Sequence, residues 1–149
     1  MRVVIQRVKT SSVVVENKIV GSINKGFNVL LGISKEDNFE DAKYLRDKIV
    51  NLRVFEDAQG KLNKSLKEEN GELLIISQFT LYGDCRKGRR PNFMEALGGD
   101  EAKELYFKFV ELCKEEIPIV QTGVFGAHMI VEIENDGPVT LIIDSKKTF

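Results

Sequence analysis

Apolar and polar positions along the chain form two kinds of pattern, one with the period of strands and one with the period of helices. Runs that are rich in β-branched and apolar residues and end at turn residues predict strands. They occur at residues 2–8, 12–16, 19–21, 27–33, 54–55, 72–81, 119–123, 128–134 and 138–144. Residues 63–71 and 84–99 have little periodicity and predict loops. The chain is therefore predicted to be rich in strands.

Two segments carry apolar residues three or four positions apart, which is the spacing of one helix face. The first extends from Asn38, a favourable N-cap residue type, to Leu52. The second begins with Asp100 as its N-cap and is ended by Pro118, and its wide apolar face predicts deep burial. No linker, repeat or low-complexity segment interrupts these elements, so residues 1–149 are predicted to form a single domain of strands with two helices.

Length and charge narrow the classes of protein that this pattern can represent. A chain of 149 residues can bury a sizeable core, and 22 basic against 23 acidic side chains give a net charge of −1. Such a protein is not a general polyanion binder, so contact with nucleic acid requires a local basic patch. No apolar run approaches the roughly 18 to 20 residues that span a bilayer, and no membrane association is expected.

The expected compartment follows from the first residues and from the two cysteines. The stretch MRVVIQRVKTSS carries charges among its apolar residues and lacks a small-residue cleavage site, so it is not expected to be a signal peptide. Cys85 and Cys113 have no paired spacing, and without an export signal they are predicted to be free thiols in a reducing compartment. These features predict a cytoplasmic protein.

Side chains that commonly carry catalysis are scarce. His128, the only histidine, is either a general base or, as we favour, a structural or surface residue. One histidine and two scattered cysteines do not make a ligand set, so no metal site is predicted. Cys85 precedes four cations, which lower the pKa of a thiol, but no nearby histidine offers a base. We therefore expect Cys85 to be inert.

Two further segments stand out. The cations after Cys85 surround a flexible glycine and form either a solvated loop or a phosphate-binding patch; they are Arg86, Lys87, Arg89 and Arg90. Residues 77–81, SQFTL, interrupt the strongest apolar run of the chain with polar side chains. A Ser or Thr hydroxyl there could be a nucleophile, yet no activating base is evident, so the residues alone leave this segment as a strand end or a functional site.

Five segments carry motifs that resemble those of one family. SQFTL at residues 77–81 and NDGPVT at residues 135–140 resemble the SQxTL and NxGPVT motifs of the D-aminoacyl-tRNA deacylases. Residues 1–8, 87–91 (KGRRP) and 122–129 (TGVFGAHM) resemble the opening strand of that family, its KGxRP loop and its TGxFGAxM segment. Two specific motifs at the right separation, in a chain of the length of the family, identify the sequence as a member of it.

The resemblance implies an α/β fold, namely a β-rich single domain with a mostly antiparallel, barrel-like sheet and two main helices. It implies hydrolysis of the ester between a D-amino acid, or glycine, and the 3′-terminal adenosine of tRNA, with L-aminoacyl-tRNA rejected. Such an enzyme proofreads chirality and is expected to need no cofactor. The family works as a homodimer with its active site at the subunit interface, so the expected partners are aminoacyl-tRNA and a second copy of the chain.

The matching motif positions imply the catalytic residues. They are Ser77, Gln78, Phe79 and Thr80, with backbone N–H groups near Phe79 and Thr80 as oxyanion donors. Either the 2′-hydroxyl of the tRNA activates the attacking water, or Thr80 is itself the nucleophile. We favour a positioning role for Thr80, because no group that would deprotonate it is evident in the sequence.

A second set of residues is implied to choose the enantiomer and to bind tRNA. Gly137 and Pro138, joined by a cis peptide bond in this family, turn backbone carbonyls toward the substrate and exclude an L side chain, while Arg7 holds their orientation. Phe125 and Met129 are implied to line an adenine pocket. The tRNA-binding cations are Arg86, Lys87, Arg89 and Arg90. The competing interpretations are a non-catalytic RNA-binding module that uses the same cations, and a thiol hydrolase that uses Cys85.

Overall fold

The computed structural model of the chain describes residues 1–149 and is dominated by one sheet. Its strands are β1 (Arg2–Val15), β2 (Lys18–Ile23), β3 (Gly26–Gly32), β4 (Phe55–Glu56), β5 (Leu62–Lys64), β6 (Glu72–Ser77), β7 (Val120–Thr122) and β8 (Ile130–Asp144). The helices are α1 (Phe39–Asn51) and α2 (Gly99–Lys114), and a short 3₁₀ turn covers Phe79–Tyr82. Neither helix combines the length and the apolar character that crossing a bilayer requires.

The sheet has the strand order β2-β1-β3-β6-β7, and β8 pairs with the long strand β1. β1 is antiparallel to β2, β3 and β8, whereas β3–β6 and β6–β7 are parallel pairs. The ends of the order approach each other, because a Cβ atom on Gly21 in β2 would lie 2.5 Å from the carbonyl oxygen of Thr122 in β7. This nearly closed, mostly antiparallel sheet with two helices confirms the predicted fold.

The core lies between the inner face of the sheet and the two helices. α1 begins at a capping box, in which the Asn38 side chain accepts from the Glu40 N–H and the Asp41 carboxylate accepts from the Asn38 N–H. Most of the predicted apolar face of each helix is buried in the core, but Phe39 at the start of α1 is exposed. The largest fully buried side chains are Tyr106, Phe27, Phe109, Met1, Ile5, Leu31, Leu45, Ile49, Leu66, Leu73, Leu74 and Ile75.

Five strand predictions were wrong in their extent. Residues 2–8 and 12–16 belong to one strand, β1, and residues 128–134 and 138–144 belong to one strand, β8. Irregular pairing between β1 and β8 accommodates the polar residues that separate each pair of predicted strands. The predicted strand at 72–81 ends at Ser77, where the chain leaves the sheet for the 3₁₀ turn.

The predicted bounds of α2 and one predicted loop also need correction. Gly98, and not Asp100, is the N-cap of α2, and Asp100 lies in the first turn, where its charge favours the helix N-terminus. The helix ends at Lys114, four residues before Pro118, which has no N–H to donate to the Lys114 carbonyl. The predicted loop at 63–71 includes part of β5, which pairs with β4.

Candidate active site

The SQFTL segment leaves the sheet at the end of β6. The Gln78 N–H donates to the carbonyl of Leu31 in β3 at 2.7 Å, which extends the sheet by one bond before the 3₁₀ turn begins. The turn is closed by the Leu81 N–H on the Gln78 carbonyl at 3.2 Å. Phe79 and Thr80 are the first residues of the turn, so its own hydrogen bonds do not use their N–H groups. Two adjacent backbone donors are therefore free at this position.

Arg2 anchors the turn from the first strand. Its Nη1 donates to the carbonyl oxygen of Leu81 at 2.8 Å, while its Nε and Nη2 donate to Asp144 at 3.2 and 3.0 Å. The guanidinium also stacks over the Tyr82 ring, 4.6 Å from its centroid. Burial, with a contribution from the charge of Asp37, raises the pKa of the Tyr82 phenol above its usual value. No sequence pattern predicts this role for Arg2, because only the tertiary structure brings it to the turn.

A cavity of about 600 Å³ lies beside the turn and is lined mainly by hydrophobic residues. Ser77, Gln78 and Phe79 line it from one side, and Phe125 and Met129 line it from the segment that precedes β8. The structure thus brings together three of the predicted catalytic residues and both predicted adenine-pocket residues. A cavity of this size and apolar character suits a small organic ligand such as a nucleoside.

Thr80 and His128 relate differently to this cavity. Thr80 is exposed and is not among the lining residues, and its hydroxyl oxygen accepts from the side-chain amide of Gln78. No histidine or carboxylate hydrogen-bonds to the Thr80 hydroxyl. His128 is exposed at the cavity wall, two residues before β8 begins, and not inside a strand as the sequence pattern suggested.

The Gly-Pro bulge, defined as Asp136–Val139, interrupts the pairing of β8 with β1. Gln6 pairs with Thr140 and Val8 pairs with Asn135, so the four residues of the bulge face a single residue of β1. The peptide bond between the glycine and the proline of the bulge is cis. Both of these residues are exposed, so the bulge projects from the edge of the barrel.

Arg7 is the single residue that faces the bulge, and it is only 6% exposed. Its Nη1 donates to the carbonyl oxygen of Val54 at 2.6 Å, and its Nε donates to that of Asp136 at 3.2 Å. Gly137 has φ of +121°, and a Cβ atom there would lie 3.1 Å from Arg7 Nη2. Only glycine fits this backbone conformation and this close approach without strain. Arg7 therefore holds the bulge from beneath.

Asn135 and Thr140 close the base of the bulge. The Asn135 amide donates to the Thr140 hydroxyl at 2.9 Å, and its oxygen accepts from the Val139 N–H at 3.3 Å. Both residues belong to the NxGPVT motif, but neither was predicted to have a role of its own. The sequence did contain a signal for Asn135, because Asn side chains commonly hydrogen-bond to backbone groups near turns.

The two motifs lie far apart within one chain. Ser77 in β6 pairs with Leu31 in β3, Leu31 pairs with Val3 in β1, and β8 lies beyond β1. Gly137 lies in the bulge opposite Arg7, four residues along β1 from Val3. The path from Ser77 to Gly137 thus crosses three inter-strand spacings and runs four residues along a strand. Together these steps correspond to a distance of roughly 20 Å. The turn and the bulge of the same chain do not form one site.

The basic loop, residues 85–91, presents fewer free cations than its sequence suggests. Arg86 Nε and Nη2 donate to the Asp84 carboxylate at 2.8 and 2.7 Å. These hydrogen bonds lower the pKa of Asp84 to about 2. Lys87, Arg89 and Arg90 form no ion pair and are exposed. Arg86 therefore orders the start of the loop, and the other three cations remain available to a polyanion.

Both cysteines are free thiols, as predicted. Cys113 is buried in α2, and burial raises the pKa of its thiol to about 12, so it stays neutral. Cys85 is exposed on the basic loop, outside the residues that line the cavity. Neither position supports a cysteine nucleophile at the cavity.

Comparisons with known proteins bear on this geometry. The family model described as D-Tyr-tRNA(Tyr) deacylase matches residues 4–144. D-aminoacyl-tRNA deacylases of Clostridium perfringens (strain SM101 / Type A) and Clostridium novyi (strain NT) are 73% and 70% identical over 149 residues, which is 100% of this chain and 100% of each relative.

Solved structures agree on the fold. A structure titled c-Myc DNA Unwinding Element Binding Protein has 41% identity and a TM-score of 0.92, and the match covers 97% of this chain and 98% of that one. A probable eukaryotic D-amino acid tRNA deacylase has 20% identity and a TM-score of 0.84, with 95% of this chain and 97% of that chain covered. At that identity, the second likeness supports the fold alone.

Fold, cavity and motifs together define an enzyme class, the hydrolases that act on the ester of aminoacyl-tRNA. More particularly, the chain belongs to the D-Tyr-tRNA(Tyr) deacylase family. Hydrolysis of D-aminoacyl-tRNA is the function of that family, and the resemblance seen in the sequence motifs is confirmed.

Proposed function

We propose that this chain hydrolyses D-aminoacyl-tRNA, and glycine mischarged on tRNA, at a site that two copies of the chain share. The 3′-terminal adenosine occupies the cavity between Phe79 and the Phe125–Met129 segment. The Gly-Pro bulge of the second copy faces the 3₁₀ turn. The observation that carries this proposal is the separation of the two motifs, because a turn in a cavity wall and an exposed bulge roughly 20 Å away can meet only between chains.

The reaction is an ester hydrolysis that needs little more than positioning. The oxygen of a water molecule bonds to the carbonyl carbon, the bond from that carbon to the tRNA 3′-oxygen breaks, and that oxygen takes up a proton. The free N–H groups of Phe79 and Thr80 stabilise the oxyanion that develops between these steps. The products are a free amino acid and tRNA with its 3′-hydroxyl restored.

Thr80 positions the turn and does not attack the ester. Its hydroxyl oxygen accepts from the Gln78 amide, and neither a histidine nor a carboxylate is bonded to it to take its proton. The 2′-hydroxyl of the terminal adenosine lies next to the ester and activates the water. The substrate thus supplies the group that the sequence lacks.

The bulge of the second copy selects the enantiomer. Its backbone carbonyls accept from the α-ammonium group of the substrate and occupy the direction that an L side chain would take. Arg7, buried under the bulge, keeps these carbonyls in place through charge-assisted hydrogen bonds. Glycine has no side chain and is not excluded, so glycyl-tRNA is a substrate as well.

The remaining proposals concern tRNA contact and location. Lys87, Arg89 and Arg90 contact phosphates of the acceptor strand, while Arg86 orders the loop through Asp84. Two free thiols are consistent with a reducing compartment, and we place the enzyme in the cytoplasm. A non-catalytic RNA-binding module does not account for the family to which the chain belongs, and Cys85 lies outside the cavity.

The first experiment compares deacylation of D-tyrosyl-tRNA with that of L-tyrosyl-tRNA. We expect rapid loss of the D ester and a rate for the L ester that is near the spontaneous one. Equal, slow loss of both esters would exclude the proposed activity.

The second experiment tests the shared site by complementation. Phe79→Ala removes a cavity wall and Gly137→Val deforms the bulge, so each variant alone is expected to be inactive. After the two variants are mixed and allowed to exchange subunits, one site in four combines an intact turn with an intact bulge, which restores about a quarter of wild-type activity. If the two variants stay inactive as a proven mixed dimer, each site takes its turn and its bulge from the same chain, and the shared site is wrong.

A further inference from the structure

The mouth of the cavity carries a pair of exposed aromatic rings, and one of them, Phe93, has no part in the proposed reaction. Phe93 meets Phe79 edge to face, with ring centroids 5.1 Å apart and an interplanar angle of 68°. Phe79 is 56% exposed and Phe93 is 37% exposed, although both also line the cavity. Large apolar rings that stay this open to solvent beside a ligand cavity indicate a surface that a ligand covers.

Phe93 lies in the turn that follows the basic loop, and its ring packs against Gly83. Its Cε1 atom lies 3.0 Å from the position that a Cβ atom on Gly83 would take, so the ring approaches the backbone of Gly83 too closely for a larger residue. The carbonyl of Phe93 accepts from the Ala96 N–H at 3.1 Å, and the Leu97 N–H donates to Ile33 at 2.9 Å. A ring fixed in this way can bind a ligand without ordering itself first.

The position of Phe93 connects the cavity with the basic loop. Asp84 and Asn92 exchange two backbone hydrogen bonds, of 2.7 and 2.9 Å, which close the neck of the basic loop directly before Phe93. Met94, the next residue, is 69% exposed and does not line the cavity. Phe93 therefore contributes to the cavity wall and directly adjoins the neck of the loop that carries the cations.

We propose that Phe93 is a stacking platform for the penultimate nucleotide of the tRNA, so that the enzyme binds a dinucleotide end and not the terminal adenosine alone. This inference rests on the proposed function, since it takes the adenosine as the occupant of the cavity. Base stacking on an exposed aromatic ring adds affinity without selecting a sequence, because every base has a π face. The site that Phe93 forms thus joins the cavity to the phosphate contacts of the loop.

A series of substrates that differ only in length tests the proposal. D-tyrosyl esters of adenosine, of the dinucleotide cytidylyl-adenosine and of full tRNA are hydrolysed by wild type and by Phe93→Leu. We expect KM of the variant to rise about tenfold for the dinucleotide and for tRNA, and to stay unchanged for the adenosine ester. Phe107→Leu, which alters another exposed phenylalanine, on α2, is the matched control and should change none of the three values.

The outcomes separate this proposal from its alternatives. If kcat falls equally for all three esters, Phe93 only positions Phe79 and the stacking proposal is wrong. If Phe93→Leu has the wild-type KM for every ester, the stacking proposal is wrong as well. If wild type hydrolyses none of the D esters, the proposed function fails and not merely the platform.

A second variant covers the case in which Phe93→Leu unfolds. Phe93→Trp offers a larger face, so KM for the dinucleotide ester should fall below the wild-type value while KM for the adenosine ester stays the same. Competition by unacylated cytidylyl-adenosine gives a readout independent of catalysis, and it should strengthen in Phe93→Trp. An unchanged dinucleotide affinity in that variant would overturn the proposal.

Discussion

The 3₁₀ turn lies in the wall of a cavity, whereas the Gly-Pro bulge projects from the edge of the sheet with both Gly137 and Pro138 exposed. Each segment is anchored by an arginine of β1. Arg2 donates to the carbonyl of Leu81 in the turn, and Arg7 donates to the carbonyl of Asp136 in the bulge. One strand therefore holds two backbone segments that lie far apart.

The difference between them concerns what each can contribute. The turn offers backbone donors beside a cavity, which suits the stabilisation of a developing negative charge. The bulge offers a fixed, protruding set of carbonyls, which suits the exclusion of a wrongly shaped ligand. Damage to the turn should slow D-tyrosyl-tRNA and glycyl-tRNA alike, and damage to the bulge should let the enzyme hydrolyse the L ester faster than its spontaneous rate.

The largest effect is expected from Gly137→Val. The φ of +121° and the 3.1 Å approach to Arg7 leave no room for a side chain, so the bulge must move. A misplacement of about 1 Å is enough to lower D-tyrosyl-tRNA hydrolysis about a hundredfold. Single-turnover rates of D-tyrosyl-tRNA hydrolysis measure this loss of activity.

The control for that variant is Gly60→Val. Gly60 also has a positive φ, of +75°, but no atom lies within 4 Å of the added Cβ. It should lose stability through backbone strain and keep its activity. Equal loss of activity in both variants would mean that strain alone, and not the position of the bulge, explains the result.

Arg7→Lys should rank second. Lysine cannot reach both Val54 and Asp136, so the buried carbonyl of Val54 loses its donor. We expect a loss of about 2 kcal/mol in the free energy of unfolding, or about 6 °C in Tm. The ratio of the D-ester rate to the L-ester rate should fall about tenfold. If this ratio equals that of wild type, Arg7 has no part in the selection of the enantiomer.

Arg2→Lys is the counterpart on the turn. The substitution removes the guanidinium that hydrogen-bonds to both Leu81 and Asp144. Because one contact to the turn is weakened, kcat for the D ester should fall about fivefold. The rate for glycyl-tRNA, the other proposed substrate, should fall by the same factor, while the L ester stays near its spontaneous rate. Hydrolysis of the L ester above that rate in Arg2→Lys would contradict the division of labour between turn and bulge.

Thr80→Val distinguishes a positioning role from a nucleophilic one. Loss of the bond from Gln78 should lower kcat only about threefold. Removal of a catalytic nucleophile costs on the order of a millionfold instead. Mass spectrometry of the enzyme during turnover should accordingly detect no acyl-threonine.

The smallest effects are expected from Cys85→Ser and His128→Ala. Both side chains are exposed, and neither donates or accepts a side-chain hydrogen bond. Activity in each should stay within about twofold of wild type, as for ordinary surface substitutions. A large loss in either variant with intact folding would reveal a side-chain mechanism in place of the one proposed.

Much of the fold was predictable because it depends on local pattern. The helical spacing behind Asn38 and the apolar run of β3 both correspond to elements of the structure. Element bounds were less predictable. The apolar pattern continues from Ser77 into Phe79 and Leu81, yet the chain leaves the sheet there, because the turn is held by Arg2 from a distant strand.

The sequence alone determined the class of fold, the motifs and the family, since residue types and their spacing carry that information along the chain. Tertiary structure decided which groups meet. The fold joins Ser77, Phe79, Phe125 and Met129 around one cavity and neutralises Arg86 with Asp84. It also separates SQFTL from the Gly-Pro bulge within one chain. The physical reason is strand pairing, because these distances depend on which strands lie side by side, and the partners come from segments far apart in the sequence.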